Sequence, residues 1–228
     1  LKELRYYAEI FGAFVYGSAK YSERINRLLY RLRVLNQTTC YPFLLHVFDD
    51  YHQGVIDEET VEKILQFILA YLLRRMVCGV PSNTLRGLFT YLYNRIFKVA
   101  SNKQKYYETL NKFLFTVSSK DVIPSAGEFE RALQKANIYG NNALCRFLLL
   151  DIENGDGKEI LQAENLTIEH IMPQTLSADW SHIRPEEHEE YLHTLGNLSV
   201  TGYNSELSNK SFAEKQDIIR ENSKAVIL

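Results

Sequence analysis

Residues 166–174 read LTIEHIMPQ, and the fold of the C-terminal part of this 228-residue chain turns on them. Leu166, Ile168 and His170 alternate against Thr167 and Glu169, which is the two-residue period of a β-strand. Pro173 lacks a backbone donor and stops the run. The strand therefore ends in an acid and an imidazole side by side. Consecutive strand residues face opposite sides, so Glu169 and His170 reach one cleft only if twist or a bulge near Pro173 redirects one of them. A second β-prone run, NLSVT (197–201), follows Gly196. RPEEHEEYLHTL (184–195) reads as a short helix, and SFAEKQDIIREN (211–222) has helical spacing through Phe212, Ile218 and Ile219. The order is strand, connection, strand, helix.

Upstream the pattern is helical almost throughout. Ile25, Leu28, Leu29, Leu32 and Leu35 recur on one helical face. Pro42 suits the first turn of a helix containing FLLHVF. Asp57 can cap VEKILQFILAYLLRRMVCG, with Gly79 as its stop. Ser82 or Asn83 can open a helix carrying Leu85, Leu88, Phe89, Leu92 and Ile96. Ser125 with Glu128 has the form of a capping box, and NNALCRFLLLDIE reads as a further buried helix. The polar, glycine-rich NGDGKE (154–159) marks a linker. The expected architecture is mainly α: a helical bundle or array over 1–153, then a small second domain over 160–228.

Composition narrows the function classes. With 46% hydrophobic and 24% charged residues, this is an ordinary globular composition. No apolar run reaches the length of a membrane span, and the start lacks the shape of a signal peptide. Without an initiator Met the chain is expected to be a fragment. Cys40, Cys78 and Cys145 are far apart, which argues against a disulfide framework or a cysteine zinc site and suits a cytoplasmic setting. A net charge of -2 does not advertise nucleic-acid binding by the whole molecule, so such binding must rest on a local patch. Residues 74–112 offer one. Arg74, Arg75, Arg86, Arg95, Lys98, Lys103, Lys105 and Lys112 are opposed only by Glu108, with Tyr91, Tyr93, Tyr106 and Tyr107 interleaved. That mixture suits phosphate neutralisation; the competing reading is solvated helix faces with inward-packed tyrosines.

Hydrolysis of a phosphodiester needs a base for the attacking water, commonly histidine, and a hard cation to stabilise charge on the phosphate. Such cations take carboxylate and amide oxygens. Glu169, His170, Asn197, Asn204 and Asn209 supply that set. Outside it, His182, His188 and His193 match no metal-ligand spacing and read as surface or core residues. Trp180 reads as a packing anchor.

The blocks EHIMPQ (169–174), LGNLSVT (195–201) and NSELSNKSF (204–212) with the following AEK resemble an HNH nuclease of the His-Me finger, or ββα-metal, type. More closely they resemble the C-terminal nuclease domain of GmrSD-type modification-dependent restriction endonucleases. The resemblance covers 165 to about 220 and extends weakly into the preceding helices. It implies that His170 activates water, that Asn197 orients it, and that Glu169 and Asn204 hold Mg²⁺ or Mn²⁺. Asn209 competes with Asn204 for that role. Lys210 would contact metal or phosphate, and Lys215 the DNA backbone. Apart from the resemblance, Arg74 and Arg75 of the basic stretch 74–112 are further candidate DNA contacts. The implied substrate is modified double-stranded phage or foreign DNA. The family pairs this domain with an upstream ParB-like nucleotide-hydrolysing domain, which nothing here matches. The acidic run Glu186, Glu187, Glu189 and Glu190 should face away from phosphate. The competing function is a non-catalytic helical DNA- or protein-binding scaffold with a degenerate nuclease fold; the intact set of site residues counts against it.

Overall fold

The computed structural model describes residues 1–117, 120–155, 166–202 and 204–222. The chain divides into two compact units, Leu1–Ser125 and Ala126–Leu228. The division falls well before the 153–160 break expected from NGDGKE, of which residues 156–159 lie outside the described residues.

The first unit is helical: α1 (Lys2–Tyr16), α2 (Glu23–Val34), α3 (Tyr41–His52), α4 (Glu58–Val77), α5 (Leu85–Phe97) and α6 (Tyr106–Thr116). Helix α4 is its axis. It buries Val61, Ile64, Leu65, Ile68, Tyr71 and Leu72, spread around much of its circumference, as expected of a helix with neighbours on several sides. Each such aliphatic side chain contributes about 1.5–3 kcal/mol when removed from water. Asp57 caps α4 by accepting the Thr60 N–H at 2.8 Å. Past its end Gly79 takes φ +64°, the left-handed value that frees the chain to turn. Helix α5 starts two residues later than the Ser82–Asn83 opening. The Ser82 carbonyl accepts the Leu85 N–H, so backbone rather than side chain begins the turn.

The second unit contains α7 (Ala126–Lys135), α8 (Asn142–Asn154), β1 (Thr167–His170), α9 (Pro185–Tyr191), β2 (Leu198–Thr201), α10 (Asn204–Leu207) and α11 (Phe212–Asn222). The strands pair antiparallel, with Thr167 opposite Thr201, Ile168 opposite Val200, Glu169 opposite Ser199 and His170 opposite Leu198. Helix α8 packs on β2, and α7 on the short turn Leu195–Asn197. Cys145 and Leu149 of α8 and Leu198 and Val200 of β2 are buried there. Helical periodicity identifies α7 and α8 but not the core they join; α8 meets β2 and α7 the turn that leads into it, so both belong to the second unit. No described helix is long and apolar enough to cross a membrane.

Candidate active site

The β ribbon delivers Glu169 and His170 to opposite faces, and each is met by a different partner. Both strands keep plain register to the end of β1, and the ladder continues with Ile171 N–H donating to the Asn197 carbonyl at 3.0 Å. No bulge turns either side chain, so the shared cleft expected near Pro173 is not what forms.

On one face, Glu169 Oε1 lies 2.7 Å from Lys215 Nζ of α11, with both residues almost wholly buried. The same ammonium donates to the His170 carbonyl at 2.7 Å. That carbonyl is available because ladder bonds alternate along an antiparallel pair. With Ile171 bonded to Asn197, His170 falls in a non-hydrogen-bonded position and points its backbone groups outward. Burial raises the Glu169 carboxyl above the ordinary range, against the lowering effect of Lys215 and of the His170 backbone N–H. Lys215 is 1% exposed and therefore cannot touch a DNA backbone as expected. It neutralises Glu169 and ties α11 to β1.

On the other face, His170 Nε2 lies 3.1 Å from His193 Nδ1. The Tyr139 ring presents its edge to His170 with centroids 4.4 Å apart and stacks on His193 at 5.2 Å, 9° from parallel. The His193 carbonyl accepts the N–H groups of Ile138 and Tyr139 at 2.9 and 3.3 Å, pinning the α7–α8 turn to the α9–β2 connection. His188 Nε2 lies 2.9 Å from the Pro173 carbonyl oxygen. Burial first, then His193, Lys215 and His188, push the His170 pKa down to about 4, so the ring is neutral at physiological pH. The sequence expectation of a surface or core role for His193 misses this contact. Its partnership with His170 spans 23 residues and leaves no spacing signature.

Asn197 does not orient the His170 ring. Its Oδ1 accepts the Met172 N–H at 2.7 Å, and its Nδ2 donates to the Met172 and Leu192 carbonyls at 3.0 and 2.9 Å. It is a clamp that holds the loop after β1 against the segment entering β2. Such a clamp needs an amide, because one side chain must both accept and donate.

Asn204 begins α10, and its side chain lies outside the described residues. Asn209 and Lys210 are exposed in the turn before α11. Their carbonyls accept from Ser177 Oγ at 3.2 Å and Trp180 Nε1 at 3.0 Å, so Trp180 does anchor the long connection. Among the described residues no group of three His, Cys, Asp or Glu side chains could hold a metal ion. The one carboxylate at the end of β1 is already neutralised by Lys215. The described donors therefore do not by themselves build a cation site.

In the first unit, Arg75 is 1% exposed and is not a DNA contact. Its guanidinium donates to the Lys120, Val122 and Pro81 carbonyls at 2.8, 3.4 and 2.9 Å, lashing that segment to α4. Arg74 is half-buried and donates to the Pro124 carbonyl at 3.2 Å. Tyr93, Tyr106 and Lys103 converge on the buried Asp50. The exposed basic residues of this stretch are Arg86, Arg95, Lys98, Lys105 and Lys112.

Residues 123–227 match the family model for the C-terminal domain of GmrSD restriction endonucleases. This segment is similar to a GmrSD C-terminal domain. The match begins three residues before the second unit and covers both strands, α7 to α11 and the His170–His193 pair. The matched family is one of restriction endonucleases. No curated protein and no solved structure matches the chain.

Proposed function

We propose that the GmrSD-like domain of this chain is the cleavage part of a cytoplasmic restriction system, an HNH-type (His-Me finger) hydrolase of DNA phosphodiester bonds. The ribbon with α10 and α11 would be its ββα unit, and modified phage or foreign duplex its substrate. One observation carries the reading: His170 is a neutral imidazole, fixed at a strand end with one ring nitrogen already partnered. A neutral ring can take a proton from water as that water attacks phosphorus, while the P–O bond to the departing sugar oxygen breaks and that oxygen is protonated by solvent. Mg²⁺ or Mn²⁺ would supply charge neutralisation at the phosphate. Glu169, the carboxylate the resemblance assigns to it, is occupied by Lys215, so no step is built on the ion; Asn204 and Asn209 remain proposed amide donors. An upstream ParB-like nucleotide-hydrolysing domain would complete the system.

A second reading has its own support. His170 is 5% exposed and Glu169 is paired, as suits a scaffold that keeps the fold without the reaction. Nicking of supercoiled plasmid, modified and unmodified, separates the two. The wild-type chain should nick in Mg²⁺ or Mn²⁺ and lose the activity in EDTA, and His170→Ala should be slower by about 10²–10⁴-fold. Equal nicking by both proteins would remove His170 from the reaction, and nicking unaffected by EDTA would remove the ion.

A further inference from the structure

A histidine base can act through either ring nitrogen, and its hydrogen-bond partners select which. We propose that His193 is a positioning residue that makes His170 Nδ1 the basic nitrogen, by accepting a hydrogen bond from His170 Nε2–H at its own Nδ1. This inference rests on the nuclease reading for its functional meaning, though its geometry stands apart from it.

A neutral imidazole carries one ring proton, and the hydrogen bond made by one nitrogen fixes the character of the other. The 3.1 Å approach of His170 Nε2 to His193 Nδ1 admits two arrangements. If His193 Nδ1–H donates, His170 bears its proton on Nδ1 and neither of its nitrogens is free to accept another. If His170 Nε2–H donates, its Nδ1 keeps a lone pair, and the same hydrogen bond persists when Nδ1 takes up a proton. Only the second arrangement leaves a base. It requires His193 to carry its own proton on Nε2.

The surroundings hold His193 in place to do this. Its carbonyl binds two backbone N–H groups of the α7–α8 turn, and its ring lies parallel to Tyr139, which in turn presses its edge on His170. Backbone and ring are thus held from separate directions, so the acceptor lone pair is aimed with little rotational freedom. The three rings meet as a unit: His170 and His193 centroids are 5.3 Å apart with planes 68° from parallel.

The test uses the whole chain and two substitutions. His193→Asn keeps an acceptor oxygen near the place of Nδ1, whereas His193→Phe keeps the stack on Tyr139 and removes the acceptor. In the nicking assay His193→Phe should lower kcat by about 10–100-fold, the scale of lost support to a functional imidazole, with KM unchanged. His193→Asn should recover most of the rate. A His193→Phe protein with wild-type kcat overturns the inference while His170→Ala still reports on the nuclease reading. Long-range ¹⁵N–¹H spectra of the wild-type chain give an arm independent of activity. His170 should show the Nε2–H tautomer, and the Nδ1–H tautomer overturns the proposal.

Discussion

Glu169 and Lys215 show how much a buried ion pair resists losing one member. Neither side chain exceeds 8% exposure, so a lone survivor would hold an uncompensated charge away from water. Glu169→Leu or Lys215→Met alone should each cost about 3–5 kcal/mol, whereas the joint Glu169→Leu, Lys215→Met protein should cost far less than their sum. Urea denaturation of the four proteins measures this, and additive losses would show that the pair is not coupled. The EH dipeptide was legible as the place to look. That its acid binds a lysine 46 residues on was not, because ion pairing across elements leaves no local pattern.

At the scale of elements, α5 is the surface through which we expect the first unit to meet DNA. The segment from Lys63 to Tyr107 contains no acidic residue. Helix α5, about 20 Å long by the rise of its 13 residues, buries Leu85, Leu88, Phe89, Leu92 and Ile96, leaving Arg86, Tyr91, Arg95 and, just past its end, Lys98 exposed. Tyr91 is 59% exposed, a ring that packing does not claim. Replacing Arg86, Arg95 and Lys98 with Gln should weaken DNA binding and reduce the slope of log affinity against log salt by about 3, near one per phosphate contact. Replacing Arg74, which is committed to the Pro124 carbonyl, should leave that slope alone. An unchanged slope in the triple variant would remove α5 as the contact surface. Helical periodicity showed that basic residues lie along these helices. It could not show which of them turn inward to bind carbonyls, since Arg75 looks in sequence like its neighbour.

For the molecule as a whole, the buried neutral His170 links stability to pH. Its pKa is about 4 in the fold and near 6.5 unfolded, so between those values the unfolded chain binds a proton that the folded chain refuses. Stability should therefore be complete above pH 6.5 and fall as pH drops through the window, by at most about 3 kcal/mol from this group. The raised Glu169 carboxyl acts in the opposite direction just above its ordinary value. Urea midpoints for the wild type and His170→Phe should converge as pH falls from 7 to 4; parallel curves would show that His170 is not held neutral. Taken alone, the sequence determined the mainly helical character, the two short strands and the ordered EHIMPQ, LGNLSVT and NSELSNKSF blocks, because periodicity, turn chemistry and motif order are local properties of a chain. Tertiary structure decided the rest. It moved the unit boundary to Ser125, buried Arg75 and Lys215, turned Asn197 into a clamp, and brought His193 to His170. Each of these depends on which surfaces meet across long stretches of chain, and burial of charge and pairing of ring nitrogens are fixed only when they do.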